Sequence, residues 1–120
     1  YRSGDKVVSK NWQPVLDEGR HHRARLGFIL MSTDLAAEAD FYDMAPDGVA
    51  VHITRLKTED YTNNETLARH IYYIAEAAAR LQPYFKPDVI SYKCTRGSIV
   101  IGEERVMAEI TKGAPWARPM

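Results

Sequence analysis

The chain has 120 residues, the size of a single domain. Its 16 basic and 16 acidic residues cancel, which argues against nucleic acid or an anionic membrane surface as partners, because both attract cationic proteins. One cysteine excludes an internal disulfide, and no apolar run reaches the roughly 20 residues of a membrane span. We therefore expect a cytoplasmic globular protein with no membrane association.

The first strand is predicted where a polar, aperiodic arm ends. Residues 1–24 lack any apolar period and form that arm, while residues 25–120 form the α/β domain. LGFILM, from Leu26, is a continuous apolar run typical of a parallel strand covered on both faces. The residues after it favour a helix N-terminus, and a helix with apolar positions at Leu35, Ala39 and Tyr42 should follow.

A second strand and helix follow the turn at residues 46–48. VAVHITRL alternates, which predicts that Val49, Val51 and Ile53 point inward. Thr62 and Glu65 have the spacing of a capping box. The helix that they open has one apolar stripe and should end at Pro83 and Pro87; the stripe comprises Leu67, Ile71, Ile74, Ala78 and Leu81.

The third unit contains the only cysteine. Residues 88–92 (DVISY) predict a strand, SYKCTRGS a turn, and residues 101–111 a helix that ends at Gly113 and Pro115. Three successive strand-helix units predict an α/β fold with a three-layer parallel sheet (βαβαβα) and right-handed crossovers.

Function in such sheets lies at the carboxyl ends of the strands. The candidate positions are therefore the three turns at that edge: Ser32, Thr33 and Asp34 after the first strand, Thr54 and Arg55 at the end of the second, and Cys94, Thr95, Arg96, Gly97 and Ser98 after the third.

Cys94 has two interpretations. At the start of a helix, unpaired backbone N–H groups favour the thiolate, which could act as nucleophile or base. Gly97 and the hydroxyls of Thr95 and Ser98 could bind a carboxylate or enolate oxygen. Asp34 could orient substrate or move a proton. Alternatively, Cys94 is a buried small residue and Asp34 only a helix cap.

More specific catalytic and nucleotide-binding motifs are absent from the sequence. The cysteine loop of phosphatases would need Arg at position 100, which is Val, and neither phosphate-loop nor dinucleotide-loop glycines follow the first strand. The four histidines lack ligand spacing, so we expect no metal.

Two segments carry a family resemblance: RLGFILMSTDLAAEADFYDMAPDGVAVHITRL and DVISYKCTRGSIVIGEERV. They resemble the maleate isomerase and arylmalonate decarboxylase branch of the aspartate/glutamate racemase superfamily, and most of all its ectoine utilization protein A group. The resemblance covers about residues 25–118.

The resemblance implies a cofactor-free enzyme of two similar lobes, each contributing one cysteine or its substitute, that holds a small carboxylate between them. Cys94 matches the first-lobe cysteine, and Asp34 matches a position where relatives have Asn or an acidic residue. Thr95, Arg96, Gly97 and Ser98 match the oxyanion turn, although Arg96 stands where a small serine is usual.

No second cysteine follows, so the second lobe is absent from this chain, and we expect the chain alone to lack full activity. Uncovered sheet edges predict a homo-oligomer or association with that missing lobe. Two functions remain open: the first lobe of an isomerase, racemase or decarboxylase acting on a small carboxylate, in which Ser32, Thr33, Thr95 and Ser98 assist Cys94, or a non-catalytic anion-binding or assembly module.

Overall fold

The computed structural model describes residues 4, 9–81, 84 and 86–120. The regular elements in chain order are β1 (Ala24–Met31), α1 (Ala37–Met44), β2 (Val49–Leu56), α2 (Asn64–Ala68), a 3₁₀ turn (Arg69–Tyr72), α3 (Ile74–Ala79), β3 (Val89–Tyr92), α4 (Thr95–Ile101), α5 (Glu103–Gly113) and β4 (Arg118–Pro119). Residues 9–23 contain no helix or strand and are exposed. Residues 1–3 and 5–8 of the predicted arm lie outside the described part.

The strands form one parallel sheet in the order β2-β1-β3-β4. The prediction of an α/β fold with a parallel sheet is therefore confirmed. The sequence did not reveal β4, because two residues, one of them Pro119, carry no strand pattern of their own. This strand pairs with β3 and covers what would otherwise be a sheet edge.

Helices cover both faces of the sheet. Neighbouring residues of β1 point to opposite sides: Phe28 stacks on Phe41 of α1 with 4.0 Å between ring centroids, whereas Ile29 belongs to the core formed with the later helices. That core contains Ile74 of α3 and Ile110 of α5, both fully buried. The molecule is thus three layers deep, as predicted.

The predictions of which residues face inward are wrong for β2 and for α1. On β2 the buried residues are Ala50, Thr54 and Leu56, while Val49, Val51 and Ile53 are half-buried. Alternation shows that a strand has two faces but does not show which one meets the larger helical layer, here the layer containing α3.

On α1, Leu35 is 97% exposed and Ala39 and Tyr42 are also exposed; Ala37 is buried and Phe41 half-buried instead. The helix begins only at Ala37, and the stacking of Phe41 on Phe28 fixes its rotation.

The predicted second helix is divided. Its capping box joins Asn63 and Thr66, one residue later than the predicted pair Thr62 and Glu65, and Asn is at least as good an N-cap as Thr. The 3₁₀ turn then interrupts the helix. The predicted stripe nevertheless faces the core, with Ile71 half-buried and Leu67, Ile74, Ala78 and Leu81 buried. Pro83 lies outside the described residues.

The predicted third helix, residues 101–111, corresponds to α5, and a further helix that was not predicted precedes it. α4 begins directly after Cys94, where a turn was predicted, and Gly102 separates α4 from α5 with φ of +100°. That positive φ suits glycine, which has no Cβ to clash. Gly113 closes α5 against α3: a Cβ on it would lie 2.0 Å from the carbonyl oxygen of Ala75. The chain therefore turns at Gly102 and packs closely at Gly113.

Candidate functional site at the carboxyl edge of the sheet

The site lies where the strand order changes direction. From β1 the chain passes to β2 on one side, then returns past β1 to β3 on the other. The carboxyl ends of β1 and β3 therefore flank a crevice, the usual ligand position in open α/β sheets. Met31 ends β1, and Tyr92 ends β3.

Cys94 is the N-cap of α4. Its backbone is extended, with φ of −155° and ψ of 99°, and its Sγ accepts a hydrogen bond from the amide of Gly97 at 3.3 Å. Its carbonyl accepts two further bonds, from the amide and the hydroxyl of Ser98, each at 2.9 Å. The side chain is half-buried, so the sulfur is held by the first turn of the helix but is not sealed in the core.

An open cleft of about 720 Å³ lies beside the sulfur. Cys94, Thr95 and Ser98 line it on the α4 side, and Met107 of α5 lines the facing wall. Lys93 contributes a cation to the lining and Glu103 an anion. The cleft is thus large enough for a small organic acid, and it combines a thiol, two hydroxyls and both signs of charge.

The first two amides of α4 have no hydrogen-bond acceptor within the described residues. Thr95 and Arg96 lie at the first two helical positions, where the backbone N–H has no partner within the helix. Among the described residues no acceptor outside the helix takes either N–H. The amide of Gly97, which the resemblance assigns to the oxyanion turn, is instead bonded to the sulfur.

A buried histidine and tyrosine lie behind the sulfur. Tyr92 Oη is 2.6 Å from His70 Nδ1, and the two rings meet edge to face. Tyr92 Oη and Cys94 Sγ both approach Gly97, at 2.2 and 3.0 Å from the position that a Cβ on this glycine would occupy. His70 is 2% exposed and Tyr92 5%. Sequence reasoning missed this pair because the two residues are 22 positions apart.

Burial shifts the pKa of both Tyr92 and His70. It is the largest cause that raises the pKa of Tyr92 far above its ordinary value, followed by the charge and the hydrogen bond of Cys94. Burial also lowers the pKa of His70. Near neutral pH we therefore expect a neutral phenol and a neutral imidazole in contact with each other.

Asp34 forms the start of α1. Its Oδ1 accepts hydrogen bonds from the amides of Ala36 and Ala37 at 3.1 and 2.9 Å, and its Oδ2 lies 3.2 Å from Lys93 Nζ. The bond from Ala37 is the largest cause that lowers the pKa of Asp34. A carboxylate held in its ionised form is a poor proton donor, and Asp34 does not line the cleft.

Arg55 holds the loop that carries Asp34. Its guanidinium donates to the carbonyls of Met31 and Asp34 at 2.9 and 2.8 Å and to Glu38 at 2.9 Å. The candidate at the end of β2 thus binds the backbone after β1. Its neighbour Thr54 is buried.

The remaining predicted residues lie outside the cleft lining. The hydroxyl of Ser32 bonds to that of Thr58, which ties the loop to the end of β2, and Thr33 is exposed. Arg96 donates to Asn64 Oδ1 at 3.0 Å, so it contacts the start of α2. The structure therefore brings Cys94, Thr95 and Ser98 together at one cleft and places Ser32, Thr33, Asp34 and Arg96 around it.

No group of three or more His, Cys, Asp or Glu side chains in the described part of the chain is placed to hold a metal ion. No helix within the described ranges is long and apolar enough to cross a membrane.

Comparison with solved structures identifies a similar fold. A maleate isomerase from Pseudomonas putida S16, solved with maleate, superposes with a TM-score of 0.64 over 81% of this chain at 20% identity. The two proteins share a fold. The match covers 44% of the maleate isomerase, so this chain spans less than half of that protein's length. No protein-family model and no curated protein matches the sequence.

Proposed function

We propose that this chain is the cysteine-bearing first lobe of a cofactor-independent enzyme of the isomerase, racemase or decarboxylase type, acting on a small carboxylate. One observation carries the proposal: the sulfur of Cys94 lies at the crevice between β1 and β3, beside a cleft of about 720 Å³ and next to the free amides of Thr95 and Arg96. The fold shared with a maleate isomerase supports it.

The chemistry follows from this arrangement. A carboxylate in the cleft would accept hydrogen bonds from the amide of Thr95 and from the hydroxyls of Thr95 and Ser98. The sulfur would then act on the adjacent carbon, either by adding to a double bond or by moving a proton. A lone thiol suits decarboxylation with reprotonation, whereas racemisation needs a second group on the opposite face.

We assign the finer features by the same reasoning. The ectoine-type resemblance favours amino-acid-like products of ectoine breakdown as substrates. We place the protein in the cytoplasm, where a single free thiol stays reduced. The second lobe, or a second copy of this chain, would cover exposed Ile99 and Met120 on the rim of the cleft.

Alkylation of Cys94 tests the proposal on the chain itself. Iodoacetamide should modify the thiol, and maleate or malonate should slow the reaction competitively by occupying the cleft. Acetamide, which lacks the charge, is the matched control. If none of the dicarboxylates tested changed the alkylation rate, the cleft would not be a carboxylate-binding site.

A turnover assay on the chain joined to its second lobe then identifies the reaction. Proton NMR in deuterated water follows both double-bond rotation and exchange of the proton next to the carboxylate. Cys94→Ala should abolish whichever reaction occurs, while Tyr72→Phe, at an exposed residue outside the cleft lining, should leave the chemistry intact.

The alternative is a non-catalytic anion-binding or assembly module. It is favoured by the hydrogen bond from Gly97 to Sγ, which makes Cys94 an ordinary helix cap. Dicarboxylate binding that survives in Cys94→Ser, with no turnover once the second lobe is present, would establish this reading.

A further inference from the structure

Lys93 supplies the positive charge of the cleft beside Cys94. Among the described residues that line the cleft, it is the one lysine or arginine. The two arginines at the same edge of the sheet bind elsewhere: Arg55 donates to the loop after β1, and Arg96 contacts the start of α2. A negative group that enters the cleft therefore meets the charge of Lys93.

The position of Lys93 is fixed at both ends. Its backbone amide donates to the carbonyl of Ile29 at 2.9 Å, directly after the pairing of β3 with β1. Its Nζ lies 3.2 Å from Oδ2 of Asp34, whose side chain is 8% exposed. An ammonium has three N–H donors, and Asp34 accepts from one of them. The side chain of Lys93 is 48% exposed, so a ligand can reach the other donors.

The acidic groups near Lys93 leave part of its charge available. Asp34 is stabilised by α1 as well, because its Oδ1 accepts from the amides of Ala36 and Ala37. The acidic side chain in the cleft lining, Glu103, lies at the start of α5 and not in the loop that carries Lys93. A negative group of a ligand is therefore repelled from the α5 wall and attracted to Lys93.

We propose that Lys93 determines specificity, and that its ammonium pairs with a second carboxylate of the substrate. The first carboxylate binds to Thr95 and Ser98, which follow Cys94 in the chain, whereas Lys93 precedes it. The two charged ends of the substrate thus lie on either side of the sulfur. This inference rests on the proposed function, since it takes Cys94 as the reacting group. The site favours dicarboxylates over acids with a single negative group.

A first test needs no substrate. Iodoacetate and iodoacetamide alkylate a thiolate by the same displacement of iodide, but only iodoacetate is negatively charged. The ratio of their rates at Cys94 reports the charge beside the sulfur and cancels any change in the thiolate fraction. In Lys93→Gln we expect this ratio to fall about two- to fivefold. Salt at about 1 M should lower the ratio of the unaltered protein in the same direction.

A second test measures the choice between acids. Maleate and isocrotonate share a cis double bond, and isocrotonate has a methyl group in place of one carboxylate. At pH 8 we expect maleate to protect Cys94 from iodoacetamide at about a fivefold lower concentration than isocrotonate. Lys93→Gln should remove most of this preference by weakening the effect of maleate, and protection by isocrotonate should be nearly unchanged.

Lys112→Gln is the matched control. It removes the same charge from an exposed position in the last turn of α5, outside the cleft lining, and should change neither measurement. Urea unfolding checks that Lys93→Gln is folded, and the salt dependence of the unaltered protein does not need the variant.

The outcomes distinguish this inference from the proposed function. An unchanged rate ratio in folded Lys93→Gln would overturn the role of Lys93, and so would a preference for maleate that survives the substitution. In both cases protection of the unaltered protein by maleate would still support the carboxylate site. Protection by neither acid would count against the proposed function itself, and the pairing with Lys93 would fail with it.

Discussion

Gly97 and Tyr92 touch so closely that a side chain at position 97 has no room. A Cβ on Gly97 would lie 2.2 Å from Tyr92 Oη and 3.0 Å from Cys94 Sγ. The first turn of α4 therefore packs directly against the hydroxyl that is hydrogen-bonded to His70. The glycine that the family resemblance assigns to substrate binding has a packing role in this structure.

Gly97→Ala should accordingly displace the phenol and destabilise the fold by about 1 to 3 kcal/mol, the usual cost of overpacking. Urea unfolding measures the loss. In the Tyr92→Phe background the same change should cost less, because the oxygen at 2.2 Å is gone. An equal cost in both backgrounds would mean that the clash lies elsewhere.

Asp34→Ala should reduce stability by about 1 kcal/mol through the lost cap of α1. The pKa of Asp34 is lowered below 3.8 in the folded state, so its contribution is present above pH 3.8 and is lost as the pH falls through the folded value. Chemical unfolding at pH 7 and pH 3 measures this difference.

A second substitution at this position, Asp34→Asn, tests the predicted proton-transfer role. If Asp34 is only a cap, alkylation of Cys94 and any turnover should be nearly unchanged in folded Asp34→Asn. A loss of turnover comparable to that of Cys94→Ala would restore Asp34 to the reaction.

Arg55→Met should loosen the loop between β1 and α1. The substitution removes the donors to the carbonyls of Met31 and Asp34, and we expect a loss of about 1 to 3 kcal/mol. Limited proteolysis should then cut within residues 32–36. Arg69→Met is the control: it breaks exposed ion pairs with Glu59 and Glu65 and should cost less.

Acid should destabilise the protein through His70. The pKa of His70 is lowered from 6.5 by burial, so between the folded value and 6.5 the unfolded chain binds more protons than the folded one. The stability that this histidine contributes is therefore complete above pH 6.5 and falls as the pH drops below it.

Urea unfolding from pH 8 to pH 5 follows this effect, and His70→Gln should flatten the curve. Some slope should remain, because the pKa of His52 is also lowered, first by burial. An unchanged slope in His70→Gln would show that His70 protonates without opposing the fold.

Local patterns were sufficient for most of the fold. A continuous apolar run located β1, and the alternation and β-branched residues of VAVHITRL located β2; both patterns can be read without knowing which residues lie nearby. They could not orient α1, since the stacking of Phe41 on Phe28 is a contact between distant residues. They also missed α4, because Gly97 and the polar residues around it are typical of a turn.

The candidate site likewise contains residues that local patterns could identify and residues that they could not. Cys94, Thr95 and Ser98 were found because strand ends in a parallel sheet share one edge. His70 and Tyr92 were not, because their pairing depends on how the 3₁₀ turn packs against β3. Arg96 was placed near the pocket by sequence adjacency, but the helical turn directs it toward Asn64.

Gly102 separates the two helices that wall the cleft, with Thr95 and Ser98 on one side and Val106 and Met107 on the other. The backbone at Gly102 sets the distance between α4 and α5, but neither the thiol of Cys94 nor β3 is part of it. Inserting residues at this position should therefore widen the cleft while leaving Cys94 and β3 in place.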